Sequence, residues 1–452
     1  MTDAEALYFL GNRRMSSGDG EGAEACFREA VALDPGLAAA WCNLGLVLVR
    51  NGAHAEAENC YRRALALDSA QSEIPLNLGV LLAGQKRFDE AEQAYRQALA
   101  RNPGSTAAWS NLGVLYASLQ REEEAEQCYR QALRLDPQYR LARFNLSYLL
   151  LRQARFAEGW ACLEARDWYG NLEQRLACPR WRGEPLAGKS LLIGYEAGHG
   201  DMLQFCRYAA VLKARGAARV TVLCHPGLKR LFGTLEGADA VHAFDEPGLA
   251  FDHDYWTPLF SIPHYCGTRL DSIPALLPYL HAHAADVERW RRFLPAAGMR
   301  IGLVWKGNPR FENDADRSLS ALDLLAPLGK VPDAIFVSLQ KGAGEEEAAH
   351  PPAGLPLLDV AMHINDFADT AALIKNLDLV ISVDTAVAHL AGALGKPCWV
   401  LLPAYKTDWR WLSERTDSPW YPGVMRLFRQ PREGGWAPVV AQIATALGRL
   451  SR

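Results

Sequence analysis

Gly11, Gly45, Gly79 and Gly113 stand 34 residues apart, and the same interval separates Tyr61, Tyr95 and Tyr129, and again Ala57, Ala91 and Ala125. The stretches 40–70, 75–103 and 108–137 share one register, each reading as helix, turn, helix with small residues where the helices touch. A unit of this size cannot bury its apolar face alone, so consecutive units must stack into a curved rod with a concave groove. A fifth, partial unit begins at Tyr139, where Asn145 and Leu146 keep the register and Ser147 replaces the glycine. It decays into "FAEGWACLEARDWYG", which reads as a cap joined to the next domain.

This pattern resembles the tetratricopeptide repeat. Asn43, Asn77, Asn111 and Asn145 occupy one place in successive first helices, those that line the groove. An amide both donates and accepts, so such a column can hold an extended peptide backbone whatever its side chains. Asparagine at this place also occurs in ordinary repeats, where it is part of a scaffold. The column is similar to the asparagine ladder of the eukaryotic O-GlcNAc transferase, which likewise joins repeats to a glycosyltransferase.

A chain of 452 residues is too long for one core. With 49% hydrophobic and 22% charged residues and a formal net charge of -4, it is globular and has no electrostatic footprint for nucleic acid. No apolar run reaches membrane-spanning length, and "MTDAEALYF" lacks the order of a signal peptide, so the expected location is cytoplasmic. None of the ten cysteines shows zinc-ligand spacing, and Cys26, Cys42, Cys60 and Cys128 read as reduced packing residues of the repeats.

After "CPRWRGEPLAGK" the period changes. Short β-rich runs at 190–195, 219–224 and 239–244, and a second series at 300–307, 334–342, 377–384 and 397–403, alternate with helix-length segments. Two doubly wound α/β lobes are implied, their ligands expected beyond the carboxyl ends of the strands. The fold class is an α-solenoid followed by α/β in the GT-B arrangement of two Rossmann-like lobes. The expected domains are repeats over 1–170, an acceptor-side lobe over 171–296 and a nucleotide-sugar lobe over 297–452, whose last helix (435–450) crosses back onto the first lobe.

"VISVDTAVAHLAGALGKP" (380–397) carries the first chemistry. A strand ends at Asp384 and a helix begins near Thr385, leaving unpaired N–H groups suited to a diphosphate. Ala386 and the later alanines keep side chains out of the way, while Asp384, Thr385 and His389 offer directed hydrogen bonds. The plainer reading is helix capping and close packing. Lys306, after the first strand of the second lobe, and Arg317, in the adjoining loop, are cations that would neutralise charge on a leaving phosphate, the plainer reading being ordinary surface charges. Gln340 ends the next strand and is a further candidate for the nucleotide. Glu312, Asp314 and Asp316 alternate like a calcium loop but lack its glycine and terminal glutamate.

With "GLVWKGNP", "RSLSALDLLAPL" and "FVSLQKG", the stretch over 378–397 resembles the nucleotide-sugar motif of the bacterial heptosyltransferases, which are inverting, metal-independent GT-B enzymes. Together with the repeats and the tail "DWRWL…SPWYPGVMRLFRQ", the chain is similar to bacterial tetratricopeptide-repeat glycosyltransferases, some of which modify flagellin. In the heptosyltransferase pattern a "GD" follows the first strand of the acceptor lobe, and its Asp takes the acceptor hydroxyl proton. Asp201 of "GYEAGHGDMLQF" matches it; capping of its own helix is the other reading, and His199 is the rival base.

These resemblances imply sugar transfer from a nucleotide sugar to a hydroxyl of a protein held by the repeats, with flagellin Ser/Thr the acceptor to test first. No cofactor or metal is expected, the nucleotide sugar being a co-substrate. Two alternatives stand beside this: transfer onto lipopolysaccharide or a lipid-linked glycan, and a non-catalytic scaffold with a degenerate transferase domain.

Overall fold

The structure, a computed structural model, describes residues 2–249 and 251–450. The chain divides into two compact units, Met1–Leu149 and Leu150–Arg452.

The first unit is a run of paired helices: Asp3–Ser16 with Gly20–Leu33, Ala38–Arg50 with His54–Leu67, Glu73–Gly84 with Phe88–Arg101, and Thr106–Ser118 with Glu122–Leu135. Its start is set locally by a capping box, in which Thr2 Oγ1 accepts from Glu5 N at 3.2 Å and Glu5 Oε2 accepts from Thr2 N at 2.7 Å. The glycine column has a steric cause. A Cβ on Gly45, Gly79 or Gly113 would sit 2.6 to 2.7 Å from a ring carbon of Tyr61, Tyr95 or Tyr129, and Gly11 stands in the same relation to Phe27. Each unit therefore needs a bare first helix so that a buried aromatic ring of its second helix can lie flat against it.

The second unit contains two parallel sheets. One has the order β3-β2-β1-β4, from β1 (Ser190–Gly194), β2 (Arg219–Cys224), β3 (Ala240–Ala243) and β4 (Tyr255–Pro258). The other has the order β10-β9-β8-β5-β6-β7, from β5 (Met299–Val304), β6 (Ala334–Ser338), β7 (Leu357–Leu358), β8 (Leu379–Val383), β9 (Cys398–Leu402) and β10 (Met425–Arg429). Every residue of β8 and β9 is buried, as befits central strands covered on both faces. In register, Val304 of β5 pairs with Ser382 of β8, so the loops leaving these strands lie side by side.

The final helix, Ala437–Leu450, does not cross back as the sequence led us to expect. Val439, Val440, Ile443 and Leu447 join a core built from Ile301, Phe336, Ile381 and Leu401 of the second sheet. The same apolar stripe that suggested a bridging helix fits the face of its own lobe, and burying those four side chains stabilises it by about 1.5–3 kcal/mol each. Among the described residues no helix is long and apolar enough to cross a membrane.

Candidate active site

The turns after β1 and β8 meet face to face. A Cβ on Gly200, in the helix His199–Phe205, would lie 3.0 Å from His389 Cδ2 and 3.4 Å from Ala386 Cα. On another side of the helix Ala386–Ala393, a Cβ on Gly392 would collide with the Tyr421 ring. The alanine-rich composition is thus explained first by packing: neighbours press closely on this short helix. Its amino end is nevertheless not capped by a side chain. Thr385 occupies the N-cap with extended backbone but caps no N–H with its side chain, which is bonded instead to Ser382 Oγ at 3.0 Å. Asp384, Thr385 and Ala386 are half-buried, and the first N–H groups of the helix, with their partial positive charge, have no side-chain cap.

His389 is buried, stacked on Trp411 at 5.2 Å, and its Nδ1 shares a hydrogen bond of 2.9 Å with Tyr421 Oη. Burial first, then the charges of Arg410, Arg207 and Arg317, hold its pKa well below the ordinary value, so it is a neutral imidazole. Burial raises the Asp384 carboxyl, opposed by the charges of Arg317 and Arg410.

Asp201 performs the capping duty and also meets the opposite lobe. Its Oδ2 accepts from Gly198 N at 2.8 Å, and its Oδ1 accepts from Arg410 Nη2 of the opposite lobe at 2.5 Å. His199, the rival base, is held differently. Its ring lies 4.6 Å from His225 and stacks 5.1 Å from Phe367, and partial desolvation together with His225 lowers its pKa to about 4.

Of the expected phosphate-binding residues, Arg317 lies close enough to Asp384 and His389 to act on both. Its Nε donates to Asp314 at 3.0 Å, its guanidinium stacks 4.4 Å from the Phe311 ring, and a Cβ on Gly307 would touch its Nη2 at 2.6 Å. Lys306 is turned to Glu347, with which it forms an ion pair. Gln340 has a different task from the one expected: it is 1% exposed, its Oε1 accepts from Trp305 N and Lys306 N, and its Nε2 donates to Lys306 O and Ala343 O. An amide fully engaged with backbone shapes the loop and has nothing left for a ligand.

Arg410, between Trp409 and Trp411, is a site residue that the sequence motifs did not single out. The signal was present, since an arginine inside an aromatic run is a charge bound for burial and in need of partners. Trp409, Trp411, Trp420 and Tyr421 are all buried and form a packed cover over the lobe. Trp160 joins them, 5.4 Å from Trp409. Asp366 caps the helix Phe367–Lys375, accepting from Ala368 N and Asp369 N at 2.9 Å. It also receives two hydrogen bonds of 2.7 Å from Arg230 of the first lobe, a link between the lobes that the sequence did not show. In the first unit, Asn43 Nδ2 donates to Asn12 Oδ1 at 2.6 Å and Asn77 Nδ2 lies 3.6 Å from Cys42 Sγ. Asn111 and Asn145 make no side-chain hydrogen bond among the described residues, and all four are half-buried.

Comparison with known proteins defines the class. Tetratricopeptide repeat families match residues 11–52, 36–104, 76–139 and 123–166, and glycosyltransferase family 9 (heptosyltransferase) matches residues 334–402. The chain carries tetratricopeptide repeats followed by a glycosyltransferase region, whose matched part runs from β6 to β9 and holds Asp384, Thr385, Ala386 and His389. A curated relative, Protein FlbA of Caulobacter vibrioides, is 29% identical over 335 residues, covering 66% of this chain and 53% of FlbA. The chain thus spans about half the length of that relative. Among solved structures, PilF of Pseudomonas aeruginosa is 22% identical with a TM-score of 0.37, covering 47% of this chain and 86% of its own. MamA (residue 41 to its end) of Desulfovibrio magneticus RS-1 is 18% identical with a TM-score of 0.33, covering 39% and 98%.

Proposed function

We propose that this chain is an inverting GT-B glycosyltransferase that needs no metal and moves a sugar from a nucleotide donor to a hydroxyl of a protein bound by the repeats. The observation that carries the reading is the opposition of two strand-end turns: the uncapped start of the Ala386 helix on one side, and the Asp201 carboxylate on the other. The donor diphosphate lies against the N–H groups of that helix start, with Arg317 neutralising charge as the bond to the sugar breaks. Lys306 can add to this only if it leaves Glu347. Asp201 accepts the proton of the acceptor hydroxyl, whose oxygen attacks the anomeric carbon from the side opposite the leaving diphosphate, so the configuration inverts. His389, neutral and with Nδ1 engaged, offers Nε2 to the donor.

The Asn43, Asn77, Asn111 and Asn145 column is the surface proposed for the acceptor backbone, and flagellin Ser/Thr is the first acceptor to try. The heptosyltransferase description of the matched family favours a second reading, in which the acceptor is a glycan hydroxyl and the repeats recruit a partner.

The test is a melting-shift screen of the purified chain with UDP-, ADP-, GDP- and CMP-sugars. A donor present at a hundredfold over its Kd should stabilise the folded state by about 2.7 kcal/mol. No response to any nucleotide sugar would leave the scaffold reading in its place.

A further inference from the structure

Arg410 takes no part in the mechanism above, yet through its side chain the second lobe touches the proposed base. Its side chain is 8% exposed and lies 4.9 Å over the Trp409 ring. Nη1 donates to Asp408 Oδ2 at 2.9 Å, which ties the guanidinium to the turn that carries it, and Nη2 donates to Asp201 Oδ1 at 2.5 Å. Asp408 is itself fixed, because its Oδ1 caps the short turn by accepting from Arg410 N at 3.0 Å.

A guanidinium is planar, permanently charged and rigid in the direction of its N–H groups, so a fork held at one prong aims the other. With Oδ1 held by Arg410 and Oδ2 held by Gly198 N, the Asp201 carboxylate has a partner on each oxygen and is fixed in orientation. Two of its roughly four acceptor directions stay available for a hydroxyl proton. Arg410 also supplies positive charge among Asp201, Asp384 and Asp408, three carboxylates that act on one another. A cation shared by two carboxylates is poorly placed to serve a diphosphate as well. Arg317, whose ion pair is with Asp314, is better suited to that role.

We propose that Arg410 is a positioning residue for Asp201, acting through the carboxylate of the opposite lobe to fix the direction in which the base meets the acceptor hydroxyl. The proposal rests on Asp201 being the base.

The experiment is a double-mutant cycle read by single-turnover sugar transfer, with nucleotide affinity by calorimetry and melting temperature measured on each variant. Arg410→Met should slow transfer by about 10²-fold, the scale expected when a reacting group is displaced by an ångström, with nucleotide Kd unchanged. Arg410→Lys should recover part of the rate, since one ammonium can pair with Asp201 but cannot span both acids. In the Asp201→Asn background, followed to long times so that its slow residual transfer is read, Arg410→Met should cost nothing further. A full additional loss in that background, or weakened nucleotide binding with the transfer rate kept, would place Arg410 on the donor or in the scaffold and overturn the proposal. If Asp201→Asn alone is as active as the parent, the base assignment itself has failed, a result distinct from additivity. Should Arg410→Met not fold, Arg410→Lys with and without Asp201→Asn reads the same coupling.

Discussion

At the residue scale, burial is the main cause that holds the pKa of both His199 and His389 low, and this gives the second unit a pH signature. An unfolded histidine takes up its proton near 6.5, whereas His199 in the fold does so only near 4. Unfolding therefore binds protons across that interval, and stability is lost as pH falls from about 6.5 toward 4. His389 acts in the same direction, while Asp408, raised by burial to about 6, acts oppositely and gains stability as pH falls from 6 toward its unfolded value. His199→Phe keeps a ring against Phe367 and removes the proton site. Its melting temperature should decline less steeply than the parent's between pH 6.5 and 4 in a calorimetric pH series, and parallel curves would show that His199 is not the group responsible. Residue identities made Asp384, Thr385 and His389 readable, because a strand, an acid and a small-residue helix sit in one stretch. They did not disclose that Glu347 holds Lys306 or that backbone saturates Gln340. Both facts come from partners far along the chain, which a local pattern cannot name.

At the scale of the element, the repeats were the most legible part, because their period is enforced by sterics at one contact. Gly79→Ala places a methyl carbon 2.6 Å from the Tyr95 ring. It should destabilise the first unit by about 1–3 kcal/mol, the usual range for overpacking, read as a lower midpoint in denaturant titration of the full chain. An unchanged midpoint would mean that the glycine column is compositional and not steric. The strands were legible where apolar runs were continuous, as in "LVIS" of β8. β10 escaped notice because Arg426 and Arg429 interrupt its apolar residues, as an edge strand allows. β4 was missed because its four residues, "YWTP", are too short for a periodic signal and end in proline. The final helix shows the limit from the other side, since an apolar stripe announces that a helix will be covered without saying by what.

At the scale of the whole molecule, one chain joins a repeat unit to a unit that contains the region matched by a glycosyltransferase family. If the asparagine column grips the acceptor backbone, replacing Asn77 and Asn111 together by Ala should raise KM for a protein acceptor while leaving kcat, and the KM of a short acceptor, as they were. Equal responses from long and short acceptors in steady-state kinetics would take the groove out of substrate recognition. The structure tempers the effect expected at Asn77, whose amide already lies near Cys42, and concentrates it on Asn111. The central claim, that a nucleotide sugar held at the Ala386 helix is attacked by a hydroxyl activated by Asp201, is tested most directly by mass spectrometry of a purified flagellin incubated with the chain and the donor found in the melting screen. Parent protein should add one sugar mass to Ser or Thr, and Asp201→Ala should add none while binding the nucleotide with nearly unchanged affinity. Full transfer by Asp201→Ala, with the donor bound as in the parent, would contradict the account.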